Sequence, residues 1–267
     1  MRDTRQAVRE LWRRTRSTGF VGGLAALVVS TGWFVRIEPA PYEYGMLLLL
    51  PLSIRVLTFP RPLLPTGILW GVFAFFSVLS LGWARDLLLG GVYLAKTLYL
   101  MTTGLLLVGI LCRTGEGGAR RLWGAYFVSA LVGSWVAWLG MVGVPGFQWA
   151  TFGGRAEIRA LSGFKDPNVY AAFCLPAMLY GIDRLLHAKN SRVVLAWAGG
   201  VGLVGAGLVL AASRAAILGV LISCVLYALL TGLQAWRRTL QRGMGVHPQL
   251  RTGVRGRIGK VRERDRR

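Results

Sequence analysis

The chain has 267 residues, 54% of them hydrophobic and only 16% charged, with a mean hydropathy of +0.51. Soluble domains carry about 25% charged residues, so this composition excludes an ordinary soluble protein and places the chain among integral membrane proteins. The formal net charge of +21 does not imply nucleic acid as a partner, because most Lys and Arg lie in the tails and between apolar runs, where membrane insertion needs them.

In chain order, a basic segment (1–17) precedes eight apolar runs near 18–35, 42–59, 64–83, 87–111, 122–144, 168–186, 193–211 and 215–233. Each is about the length needed to cross a ~30 Å hydrocarbon core. The first resembles a signal peptide, but seven more runs follow it, so an uncleaved first helix is expected. The expected fold is therefore all-α: a polytopic transmembrane bundle of about eight spans over 18–233, with an outer loop at 145–167 and a disordered basic tail at 234–267.

Basic residues set the orientation. With the N-terminus inside, 25 Lys and Arg fall in inner segments and 6 in outer ones, so both termini are expected in the cytoplasm. Anionic lipid would hold the tail at the membrane surface. Small residues mark the helix contacts expected in lipid: Ala125, Ser129, Gly133 and Ala137 in the fifth run, and Gly202 with Ala206 and Gly207 with Ala211 in the seventh. Cys112, Cys174 and Cys224 are odd in number and lack metal-ligand spacing, so they read as packing residues; neither a metal nor a cofactor is expected.

Two charged positions stand out. Lys96 lies inside the fourth run, where a charge costs about 2.5–3.5 kcal/mol, so it should face the bundle interior or a wet cavity. A functional role and a structural hydrogen bond to a carbonyl both fit. Arg85 and Asp86 read as a local pair at the interface. In the outer loop, Arg155, Arg159 and Lys165 stand against Glu157 and Asp166. Asp166-Pro167 is a helix start: an Asx cap, then Pro where a missing N–H costs nothing. Asn168 then falls in the first turn. Ser213 can cap the eighth run, with Arg214 in its first turn, a position where the helix dipole opposes a cation unless both share an anion. Arg159, Arg214 and two helix N-termini suit a phosphate. From spacing alone, the simpler reading is that these arginines snorkel to headgroups or pair with Glu157 or Asp166.

The stretch RALSGFKDPNVYAAF, from Arg159 to Phe173, resembles a signature of the O-antigen ligase and polymerase-like membrane proteins: an arginine, a glycine, then Pro-Asn. AASRAA, from Ala211 to Ala216, is similar to their later Ser-Arg signature, and LSLGWARDLLLGGVYLAKTLYL is similar to the segment upstream of both. Order and spacing agree over roughly 60–230. The resemblance implies a metal-independent, GT-C-like glycosyltransferase of the bacterial inner membrane. It would move a glycan from undecaprenyl diphosphate to a lipid or glycan acceptor. By motif, Arg159 and Arg214 would bind the diphosphate with Asn168 and Ser213 beside them, and Gly163, Asp166 and Pro167 would shape the motif.

Family members also carry a histidine in a large periplasmic loop. His187, at the inner end of the sixth run, and His247, in the tail, match neither motif nor side. The chain is thus expected to span the N-terminal two-thirds of the family, and a truncated, non-catalytic lipid-diphosphate-binding protein is the alternative. A transporter is disfavoured, since no inverted repeat or pair of broken helices is visible.

Overall fold

The computed structural model describes residues 19–53, 64–153 and 158–243. They form helices α1 (Gly19–Ser30), α2 (Pro41–Ser53), α3 (Leu64–Ser80), α4 (Leu87–Met141), α5 (Pro167–Leu186), α6 (Ser191–Leu210) and α7 (Arg214–Gly243). A two-stranded ribbon, β1 (Thr151–Phe152) with β2 (Arg159–Ala160), lies between α4 and α5. The fold is all-α. Among the described residues, five helices are long and apolar enough to cross a membrane: α3 with its following turn, α4, α5, α6 and the first part of α7. The chain divides after Ile217, and the described part of the second unit is the continuation of α7 to Gly243.

Local chemistry starts the helices. Asp86 accepts a hydrogen bond from the Leu89 N–H at α4, Asp166 from Asn168 at α5 and Asn190 from Arg192 at α6. The Glu43 carboxylate of α2 reaches back to the Ala40 N–H at 2.9 Å. Asp86 is therefore a cap; among the described residues no ion pair joins it to Arg85, contrary to the sequence expectation.

Several boundaries differ from the apolar pattern. The first helix stops at Ser30 rather than near 35, because Phe34 forms a backbone bridge to Gly163 and Val35 donates its N–H to the Gly163 carbonyl at 2.9 Å. The second ends at Ser53, and 54–63 lie outside the described residues. The loop expected at 112–121 is helical. Helix α4 runs 55 residues and is interrupted only at Gly115, whose φ of 63° and ψ of −159° suit glycine. At ~1.5 Å per residue, a straight helix of that length would be nearly three times the ~30 Å core. The arms on either side of Gly115 line one cavity. The last helix continues ten residues past 233, into the segment assigned to the tail; from 244 onward the tail is outside the described residues, as is the 1–17 segment.

The second arm of α4 is central to the packing. Ser129, Ala130, Gly133, Ser134, Ala137 and Gly140 are buried along it. Tyr170 of α5 donates to Ser134 Oγ at 3.1 Å, and Gly207 of α6 lies so close that a Cβ there would strike the Tyr170 hydroxyl and meet Ser134 Oγ at 2.7 Å. Small residues thus let three helices meet. The Gly207–Ala211 pair is buried as expected, whereas Gly202 and Ala206 are exposed and Gly202 has open space around it. Helix α1 packs Val21, Ala25, Val28 and Val29 against Met46 and Leu49 of α2 and Leu106, Ile110 and Leu122 of α4. Helix α3 has no buried residue and exposes Phe73, Phe75 and Phe76, an apolar surface suited to lipid. Cys174 is buried; Cys112 is exposed and Cys224 half-exposed.

Candidate functional site

The segment before α5 is an ordered platform. Phe152 pairs with Arg159 in the ribbon, and the Leu161 and Ser162 N–H groups both donate to the Ala150 carbonyl, at 2.7 and 3.0 Å. Ser162 adopts a left-handed backbone (φ 55°) and donates its hydroxyl to the buried Gly133 carbonyl at 2.7 Å. Gly163 lies against the Trp33 carbonyl and Phe34 Cα, a fit that leaves no room for a side chain. Phe164 and Pro167 are buried, and Asp166 then caps α5 with a 2.6 Å bond from Asn168 N.

From this platform Arg159 reaches to the end of α6. Its Nε donates to the Ala211 carbonyl at 2.9 Å, and its Nη2 donates to the Asn168 side-chain oxygen at 3.1 Å and the Ala212 carbonyl at 3.4 Å. A cation on terminal carbonyls suits the negative end of the helix dipole. Three of five guanidinium donors have partners, and the two on Nη1 have none among the described residues. Ala212 turns the chain with φ 50°, and the buried Ser213 hydroxyl accepts from Ala216 N at 3.4 Å, capping α7. Arg214 follows, exposed and without a hydrogen bond or ion pair among the described residues.

Arg159, Asn168, Ser213 and Arg214 therefore gather at the starts of α5 and α7, with Asp166 and Pro167 forming the first of those starts. Nη1 of Arg159, the Asn168 amide N–H groups, the Arg214 guanidinium and the first-turn N–H groups that the caps leave open are donors an anion could use. Arg159 does not pair with Asp166, whose carboxylate serves the cap; Glu157 and Arg155 lie outside the described residues.

Lys96 stands elsewhere. Its ammonium pairs with Glu38 at 3.1 Å, and Lys165 takes the other oxygen of the same carboxylate at 2.8 Å. All three side chains are about half exposed (54% for each Lys, 45% for Glu38). The hydrogen bonds from Lys165, then Lys96, hold the Glu38 carboxyl below its ordinary value, so it stays ionised at neutral pH. Glu38 and Lys96 lie on the wall of a cavity of about 680 Å³ lined by α1, α2, both arms of α4 and the start of α5. Its wall is otherwise largely apolar, with Leu107, Leu111, Phe164, Phe173 and Pro176 among the lining residues. Nearby, Arg36 donates to the Trp149 carbonyl at 2.5 Å and stacks over its ring.

Sequence reading missed Glu38 because it is 58 residues from Lys96. A signal existed: an intramembrane lysine calls for an acid, and the 31–40 segment between two apolar runs offers one. His187 lies at the end of α5, its Nδ1 beside the Asp183 carbonyl at 2.7 Å. The chain matches no protein-family model, no curated protein and no solved structure.

Proposed function

We propose that the protein binds an undecaprenyl diphosphate-linked glycan and transfers the glycan to a lipid or glycan acceptor during surface polysaccharide assembly, as in the O-antigen ligase-like proteins its motifs resemble. The observation that carries this reading is the grip of Arg159 on Asn168 and on Ala211 and Ala212, which draws together two arginines and two helix N-termini. A diphosphate bears about two negative charges, and forked guanidinium bonds suit it. As the acceptor hydroxyl attacks the anomeric carbon, the carbon–oxygen bond to the diphosphate breaks and charge grows on that oxygen. Arg214 and the open donors of Arg159 would stabilise it.

The topology belongs to the same proposal. In this reading α1, α2, α3, the two arms of α4, α5, α6 and α7 serve as eight GT-C-like spans, five of the seven described helices being long and apolar enough to cross. Both termini then lie in the cytoplasm of a bacterial inner membrane, and the diphosphate site faces outward. Reporter fusions at Gly153 and at Lys189 should read opposite sides; both in the cytoplasm would overturn the topology.

A second reading, lipid-diphosphate binding without catalysis, is favoured by one observation: the Asp166 carboxylate, the acid nearest in sequence to Asn168, is engaged as a cap rather than placed as a base. Purified full-length protein, incubated with undecaprenyl diphosphate-linked glycan and a candidate acceptor, separates the two. Transfer that Arg214→Ala abolishes supports the transferase; saturable binding with no transfer to any acceptor supports the binding protein.

A further inference from the structure

The charged wall of the apolar cavity is a second anion-recognising feature, separate in residues from the Arg159–Arg214 cluster. Lys96 and Lys165 share the single carboxylate of Glu38, leaving one positive charge in excess. Glu43 also lines the cavity, but its carboxylate accepts from the Ala40 N–H in the first turn of α2, where the helix dipole offsets its charge. Along the first arm of α4 the lining runs from Lys96 to Leu111, roughly 22 Å at ~1.5 Å per residue. That exceeds the ~15 Å of hydrocarbon in one leaflet. The volume of about 680 Å³ falls within the ~300–1,000 Å³ typical of sites that enclose a ligand of modest size.

An apolar cavity whose wall carries the half-exposed Lys96 and Glu38, with Lys165 bonded to the same carboxylate, has the chemistry of a lipid site. We propose that it holds an acyl chain of an anionic phospholipid, and that Lys96 and Lys165 take the lipid phosphate in exchange for the Glu38 carboxylate. Glu38 is then a resident stand-in for the phosphate: it keeps the lysines apart in charge when no lipid is bound and competes with the headgroup when one arrives. Phosphatidylglycerol supplies the diester phosphate without a compensating ammonium; phosphatidylcholine carries one and should gain less.

The test is lipid titration of the full-length protein in an uncharged detergent, read by native mass spectrometry. Phosphatidylglycerol should bind about fivefold tighter than phosphatidylcholine, the scale of a solvent-screened charge pair. Lys96→Gln and Lys165→Gln should each remove most of that preference. Glu38→Gln should tighten phosphatidylglycerol, because the competitor is gone. Val108→Trp, which fills the cavity, should weaken both lipids. Arg214→Ala, which removes an exposed side chain of the diphosphate cluster that has no partner among the described residues, should change neither, so failure of the diphosphate site and failure of this one are distinguishable. Equal binding of the two lipids, weakening in Glu38→Gln, or a loss of phosphatidylglycerol binding in Arg214→Ala would overturn the assignment.

Discussion

Gly163→Ala should destabilise the protein by about 1–3 kcal/mol, the usual range for forcing a methyl group into a filled site. The added Cβ would strike the Trp33 carbonyl and approach Phe34 Cα to 2.9 Å. Both are backbone atoms, so no side-chain rotation relieves the clash. The backbone must part instead, and that strains the Phe34–Gly163 bridge and the 2.9 Å bond from Val35 N to the Gly163 carbonyl. Because Gly163 lies between Arg159 and Asp166, the platform of the proposed anion site should loosen with it. Gly202→Ala is the control: nothing lies within 4 Å of its new Cβ, and Ala is the better helix former by up to about 1 kcal/mol. Thermal unfolding in detergent should show a lower transition for Gly163→Ala and an unchanged or higher one for Gly202→Ala. Equal transitions in the two variants would remove the close-approach explanation.

Arg159→Ala should lower both stability and ligand affinity, for separable reasons. It deletes the hydrogen bonds to Ala211, Ala212 and Asn168, which tie the platform to the α6–α7 turn. It also removes a cation from the proposed diphosphate site, where each charge-assisted bond would contribute ~1.5–3 kcal/mol, or about tenfold or more in affinity. Arg159→Lys keeps the charge but cannot bond two carbonyls and an amide in one plane, so it should restore only part of either property. Binding of undecaprenyl diphosphate and thermal unfolding, measured on the same samples, check this. Full retention of affinity in Arg159→Ala would show that the guanidinium serves the helix end alone.

What the sequence made legible was local. Asp166-Pro167 announced the start of α5, and Ser213 the start of α7, because a cap and its helix are adjacent in the chain. The apolar runs located α3, α5 and α6 within a few residues, since length and hydropathy suffice for that. Tertiary contacts were hidden. Nothing near Arg159 indicates that its partner carbonyl is 52 residues away at Ala211, and no apolar pattern reveals that Phe34 leaves the helix to bridge Gly163. Gly115 lies where the apolar pattern breaks, at 112–121 between the fourth and fifth runs, so the pattern does not place it in a helix. It is instead one left-handed residue within an otherwise continuous helix, flanked by the 3.7 Å Glu116–Arg120 pair. Small-residue spacing, likewise, fits either face of α6, and only packing against Tyr170 and Ser134 selects Gly207 over Gly202.

In the proposed site, Arg214 at the start of α7 binds an anionic ligand. Arg214 is exposed and without a partner among the described residues, so its removal should leave the fold intact. The direct measurement is the affinity of purified full-length protein for undecaprenyl diphosphate, comparing Arg214→Ala with Arg85→Ala, an exposed arginine at the start of α4. The expected result is about tenfold or greater weakening in Arg214→Ala, with an unchanged melting transition, and no weakening in Arg85→Ala. Equal affinity in the two variants would contradict the site.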